Sequence, residues 1–202
     1  MLIVDYLRAE PVVLMLATAV LGLCIGSFLN VVIHRLPLMM ERAWARECRA
    51  LLESPPLDDA VDKPFNLWRP RSQCPNCHQP ISLWQNIPVL SFLFLRGRCA
   101  QCAWSIPWRY PGIEILTGAL SLWFAWHFGF GLQLIGAILL LWASIALCFI
   151  DIDHQLLPDA ITLPFLWLGL AFNYAELFCS LHDAVLGAML GYGLLWIVFQ
   201  GF

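Results

Sequence analysis

From Tyr110 to Phe202 the sequence contains no lysine or arginine, and long stretches of it carry no ionisable side chain at all. An element folded in water needs polar residues along its wet face, so segments of this kind are either buried on all sides or dissolved in lipid. The chain as a whole favours lipid, with 60% hydrophobic and 12% charged residues and a mean hydropathy of +0.74, against roughly 45–50% and about 25% in soluble domains. Breaks at residues 129–131, 151–159 and 176–183 leave apolar spans at 112–128, 132–150, 160–175 and 184–202, each near the ~20 residues that cross a hydrocarbon core. One more span precedes them at residues 11–33. It exceeds the roughly 7–15 apolar residues of a signal peptide, follows Asp5 and Glu10 as well as Arg8, and has no small-residue cleavage site after it, so it reads as a retained helix. The expected fold is an all-α polytopic membrane protein of about five transmembrane helices, with a small, more polar domain between the first and second.

Charge gives the orientation. Of eleven Lys and Arg residues, ten lie from Arg35 to Arg109. Cytoplasmic flanks collect cations, and Arg35, Arg42, Arg46 and Arg49 follow the first span while Arg96, Arg98 and Arg109 precede the second. The intervening segment is therefore expected in the cytoplasm, as is the 151–159 loop, with the 129–131 turn and the 176–183 link on the other side. Three divisions result: 1–34, an N-terminal segment and first helix; 35–109, the cytoplasmic domain; and 110–202, the remaining helices. Within the cytoplasmic domain, residues 39–52 have the spacing of an amphipathic helix and 54–63 read as a mobile Pro- and Asp-containing linker. No polybasic run or aromatic-basic groove marks a nucleic-acid binder.

Two Cys-x-x-Cys pairs, Cys74/Cys77 and Cys99/Cys102, are separated by 21 residues. A two-residue spacer lets both thiolates of a pair reach one metal about 2.3 Å away, and a second pair completes a tetrahedron. A reducing cytoplasm disfavours disulfides, so a structural zinc site is expected at these four residues. Redox cycling of the pairs is the alternative reading, and it would need a lowered thiol pKa. Four thiolates leave no open coordination position, which argues against catalytic zinc, and His78 reads as a bystander beside Cys77. Cys24 and Cys148 fall within spans as small apolar residues; Cys48 and Cys179 receive no role.

Asp151 and Asp153 follow the third span directly, and carboxylates at a membrane edge are functional candidates; an ordinary solvated helix end is the bland reading. Glu114, early in the second span, either lines a polar cavity with the loop aspartates or caps its helix. Asp183 reads as an N-terminal cap of the last span.

Several motifs, in order, resemble the bacterial type IV prepilin peptidases, inner-membrane leader peptidases and N-methyltransferases of the A24 aspartic type. These are Gly26-Ser-Phe-Leu-Asn-Val-Val-Ile-His-Arg-Leu-Pro37, the Cys pairs with Asn86-Ile-Pro-Val-Leu-Ser91 and Leu95-Arg-Gly-Arg-Cys99, Arg109-Tyr-Pro-Gly-Ile-Glu114, and the segment from Asp151 to Pro164. The resemblance implies two membrane aspartates that cut the leader of prepilins and pseudopilins after glycine, followed by methylation of the new amino terminus from S-adenosylmethionine. By position it assigns the first catalytic aspartate to Asp151. The second belongs to a Gly-x-Gly-Asp motif that occurs nowhere in these 202 residues, so the chain is expected to lack the family's C-terminal helices and, alone, to be a poor or inactive peptidase. No glycine-rich cofactor loop is visible; Glu114 and residues 26–37 are the only guesses for the methyl-donor site, whose residues stay unassigned. A non-catalytic zinc-containing membrane adaptor, or a remnant fragment, is the competing functional reading, and a membrane thiol-disulfide exchanger is a third.

Overall fold

The computed structural model describes residues 2–52, 65–82 and 87–201. Among these, seven helices follow one another: α1 (Leu2–Ala9), α2 (Pro11–Leu51), α3 (Leu90–Phe94), α4 (Arg109–Phe128), α5 (Leu132–His154), α6 (Asp159–Tyr174) and α7 (Leu181–Gly201). Three of them, α2, α5 and α7, are long and apolar enough to cross a membrane. At 16 residues, α6 is about 24 Å long, short of a hydrocarbon core of about 30 Å; α4 has 20 residues but carries Arg109, Glu114 and His127 among its apolar ones.

Proline at the first turn starts α2, where the missing N–H costs nothing. The helix then runs unbroken for 41 residues, about 60 Å. The amphipathic stretch expected separately at 39–52 is thus the far half of the first helix, which projects from the bundle as a stalk. Continuity wins because nothing between Ile33 and Met39 stops a helix except Pro37, which the structure accommodates within α2. The linker expected at 54–63 lies outside the described residues.

Helix α4 packs along α2 through small residues. A methyl group on Gly22 would lie 2.9 Å from the Cα of Gly118, and one on Gly26 would lie 2.7 Å from the Cα of Glu114. With Thr18, Thr117, Ser121 and Ala125 also buried, this seam is the small-xxx-small contact by which helices associate in lipid, where apolar burial alone gives no preference. Trp142 of α5 donates to the Ser121 hydroxyl at 3.0 Å and ties α5 to the pair. One buried cluster then joins Leu29 and Ile33 of α2, Ile113 of α4, and Ile145, Ala146 and Ile150 of α5.

The two ends of the bundle are distinct. At one, Arg8 sits 5.7 Å over the Phe130 ring, and Gln133 donates to the Leu177 carbonyl at 2.6 Å, which collects the start of α2, the α4–α5 turn and the α6–α7 link. At the other lie the exit of α2 toward the stalk, the start of α4 and the end of α5. Large apolar side chains point outward along the bundle, among them Leu16, Trp126, Leu140, Trp167 and Phe199, and α7 buries none of its residues. Such a surface is suited to lipid rather than water.

Asp183 was expected to cap α7. The cap is Ser180, whose Oγ accepts from the Asp183 N–H at 3.1 Å while its hydroxyl donates to the Asp183 carboxylate at 2.7 Å. Serine three residues before an acid resembles the capping-box pattern, so the signal was present in the sequence three residues earlier than expected.

Candidate metal centre and active site

Both Cys pairs fold into the same turn. In the first, the Cys74 N–H donates to the Gln79 carbonyl and the His78 N–H to the Cys74 carbonyl; in the second, the Cys99 N–H donates to Trp104 and the Ala103 N–H to Cys99, all at 2.8–3.0 Å. Each turn ends on a left-handed residue, His78 at φ 57° and Ala103 at φ 58°, and is closed by a single bridge, Gln73 with Pro80 and Arg98 with Ser105. These are two copies of one knuckle.

The knuckles meet with all four Sγ atoms within 4.8 Å of one another. Cys74 and Cys102 are 3.8 Å apart at sulfur, matching the edge of about 3.8 Å in a tetrahedron whose metal–sulfur bonds are about 2.3 Å. No cysteine is in a disulfide. The donor set is soft, closed and correctly spaced, so it is arranged to hold a metal ion; His78 is not among the converging ligands. Around the sulfurs, Asn76 Nδ2 donates to Cys102 Sγ at 3.6 Å. That amide, followed by the Trp104 backbone N–H, holds the Cys102 thiol down at about 6, which favours the thiolate a metal requires.

Asp151 lies in the last turn of α5, which continues to His154 rather than ending at the span boundary of 150. Its carboxylate side is exposed, one residue past fully buried Ile150. Asp153 is engaged elsewhere: Arg109 at the head of α4 grips both of its oxygens, at 2.7 and 2.5 Å. Residues two apart on a helix diverge by about 200°, so Asp151 and Asp153 face away from each other. Asp159, at the start of α6, is within 3.5 Å of the Thr162 hydroxyl. The loop aspartates and His154 form no cluster of three or more among the described residues.

Glu114 is 9% exposed and is the only buried carboxylate among the described residues. It does not cap α4, whose N-cap is Trp108. Its Oε2 accepts the Val89 N–H at 2.7 Å, with Val89 in the left-handed region at φ 58°. It thereby ties α4 to the residue that precedes α3. It lines a half-open cavity of about 350 Å3 between the knuckles and the ends of α2 and α4. The loop aspartates do not line that cavity, so the expected grouping of Glu114 with them is not found. Arg35, also buried, donates to the carbonyls of Asn66 and Leu67 at 3.0 and 3.3 Å, and this seats the polypeptide that leads into the first knuckle on α2.

Residues 20–128 match the model of the bacterial peptidase A24 N-terminal domain, and residues 138–202 match that of the type IV leader peptidase family. The chain belongs to this family. A prepilin leader peptidase/N-methyltransferase of Stutzerimonas stutzeri is 50% identical over 97% of the chain and 67% of its own length. Proteins of that name from Pseudomonas aeruginosa, 49% identical over 98% of the chain and 67% of the relative, and Neisseria gonorrhoeae, 51% over 89% and 63%, are similar to it. The chain thus spans about two thirds of the length of the curated relatives it matches. No solved structure matches it significantly. Within the family frame the ion pair of Arg109 with Asp153 and the bond of Glu114 to Val89 were missed by sequence reasoning, since both partners lie far apart in the chain and neither spacing is periodic.

Proposed function

We propose that these residues supply the cytoplasmic domain and the first catalytic aspartate, Asp151, of a membrane aspartic endopeptidase that removes the leaders of type IV prepilins and pseudopilins and then methylates the new amino terminus. The observation that carries this reading is identity of about half over nearly the whole chain to leader peptidase/N-methyltransferases, continuing through the turn of α5 that presents an exposed Asp151.

The chemistry asks for two carboxylates. One, ionised, activates water; the other, protonated, polarises the scissile carbonyl, a division that close like charges enforce. Asp153 is a poor second member, because the Arg109 guanidinium holds both of its oxygens and helix geometry turns it away. Asp153 is therefore not taken as the partner of Asp151, and the second carboxylate is left unassigned. The adaptor reading is supported by no specific contact.

The same reading takes α2, α4, α5, α6 and α7 as five spans of the bacterial inner membrane. Gln133 at the head of α5 bonds Leu177 after α6, so α6 returns along the length of α5 despite its 16 residues. The domain of residues 35–109 and the Asp151 end face the cytoplasm, consistent with the arginines there. The metal is structural zinc at Cys74, Cys77, Cys99 and Cys102, and the methyl donor is S-adenosylmethionine. The deciding experiment is leader cleavage of a prepilin in membranes by the full-length protein and its Asp151→Asn variant, in parallel with the 202 residues alone. Cleavage that survives Asp151→Asn removes the assignment.

A further inference from the structure

The cavity beside Glu114 is left without a task by the peptidase chemistry. At about 350 Å3 it falls in the range of roughly 300–1,000 Å3 typical of small-molecule sites. Its lining combines one buried acid, Glu114, with His34, Arg71 and the aromatic rings of Phe92, Trp104 and Tyr110. Glu114 is the only carboxylate on that lining. A carboxylate has about four acceptor positions, and the Val89 amide leaves most of them open. A flat heteroaromatic base, a cation and an anion would each find a counterpart there, in the rings, in Glu114 and in Arg71.

The position of this cavity relative to Asp151 matters as much. Ile33, Ile113 and Ile150 belong to one buried cluster, and the residues that follow them are His34, Glu114 and Asp151. Three helices therefore present three chemistry-bearing groups at one level of the bundle.

We propose that this cavity is the methyl-transfer site: it binds S-adenosylmethionine, with Glu114 facing the donor's sulfonium and Arg71 its carboxylate, next to the place where cleavage releases the new amine. This rests on the family role proposed above. In the transfer, the lone pair of the uncharged terminal amine attacks the donor's methyl carbon. The carbon–sulfur bond breaks and its electron pair stays on sulfur, leaving a neutral thioether. The nitrogen then loses a proton to His34, which hands it to solvent. A positive charge disappears from sulfur as the donor is consumed, so Glu114 holds the donor more tightly than its product.

The test uses the full-length protein in membranes, with a prepilin and labelled S-adenosylmethionine, scoring leader removal and methylation separately; donor binding and zinc content are measured on purified protein. Glu114→Gln keeps an acceptor for the Val89 amide, and Ala100→Trp fills the cavity from an exposed knuckle position. Each is expected to weaken donor binding and methylation by about tenfold or more, with leader removal within about threefold and zinc retained. Donor binding unchanged in both variants overturns the site. So does equal loss of cleavage and methylation in a variant that keeps its zinc, because Glu114 would then be a structural clasp. If Glu114→Gln loses its zinc, Ala100→Trp decides alone. A wild-type protein that neither cleaves nor methylates instead removes the family role on which the inference stands.

Discussion

Arg109 and Asp153 form a two-pronged ion pair, 2.7 and 2.5 Å between nitrogens and oxygens, that locks the head of α4 to the last turn of α5. The pair is partly exposed, 41% and 27% at the two side chains, and an exposed pair contributes about 0–1 kcal/mol. Its role is positional: it fixes the turn from which Asp151 projects and withdraws Asp153 from any sharing of a proton.

Two neighbouring aspartates should therefore behave very differently. In the full-length protein, Asp151→Asn is expected to lower leader cleavage by about 10²–10⁴-fold or more, as for loss of an acid–base group. Asp153→Asn and Arg109→Ala should lower it by less than about fivefold, the rate equivalent of ~1 kcal/mol. Rates of cleavage of a purified prepilin in detergent check this; equal losses at both aspartates would contradict the assignment.

The knuckles predict a metal-dependent domain. Purified protein should contain about one equivalent of zinc, and Cys74→Ser or Cys99→Ser should lose it and expose residues 65–108 to protease. Alkylation followed by mass spectrometry should find the four knuckle cysteines protected while metal is bound and modified once a chelator has removed it, because the thiolate is both the metal ligand and the reactive species.

The α2–α4 seam has no room. Gly26→Ala places a methyl 2.7 Å from the Glu114 Cα, a clash with backbone that costs about 1–3 kcal/mol. Gly112→Ala, near the start of α4, meets nothing within 4 Å and should be close to neutral. Thermal unfolding of both variants in detergent distinguishes them, and equal midpoints would show that the seam is looser than described.

Cys48 and Cys179, both exposed, report sidedness. Cys179 follows Leu177 at the end of the bundle opposite Asp151, whereas Cys48 lies on the α2 stalk. A membrane-impermeant maleimide should label Cys179 once the outer membrane is breached, and Cys48 only after the inner membrane is permeabilised. Labelling of both in intact spheroplasts would reverse or break the proposed orientation.

Local regularities made much of this molecule readable in advance. Runs free of charge locate helices because lipid forbids unpaired backbone, and the two-residue Cys spacers fix a knuckle whatever surrounds it. What failed were boundaries and roles set by neighbours. The helix from Pro11 ran on through Pro37 to Leu51, and α5 carried Asp151 and Asp153 a full turn past the apolar run, since backbone hydrogen bonding continues where hydropathy stops.

By itself, then, the amino-acid sequence determined an apolar helical bundle, a four-thiolate knuckle pair and membership of a family. Only the tertiary structure decided which acids were engaged: Asp153 to Arg109, 44 residues away, and Glu114 to Val89, 25 away. Such pairings depend on the depth and rotation of each helix, which are set by where Gly22 and Gly26 allow α4 to approach, and no one-dimensional spacing encodes them.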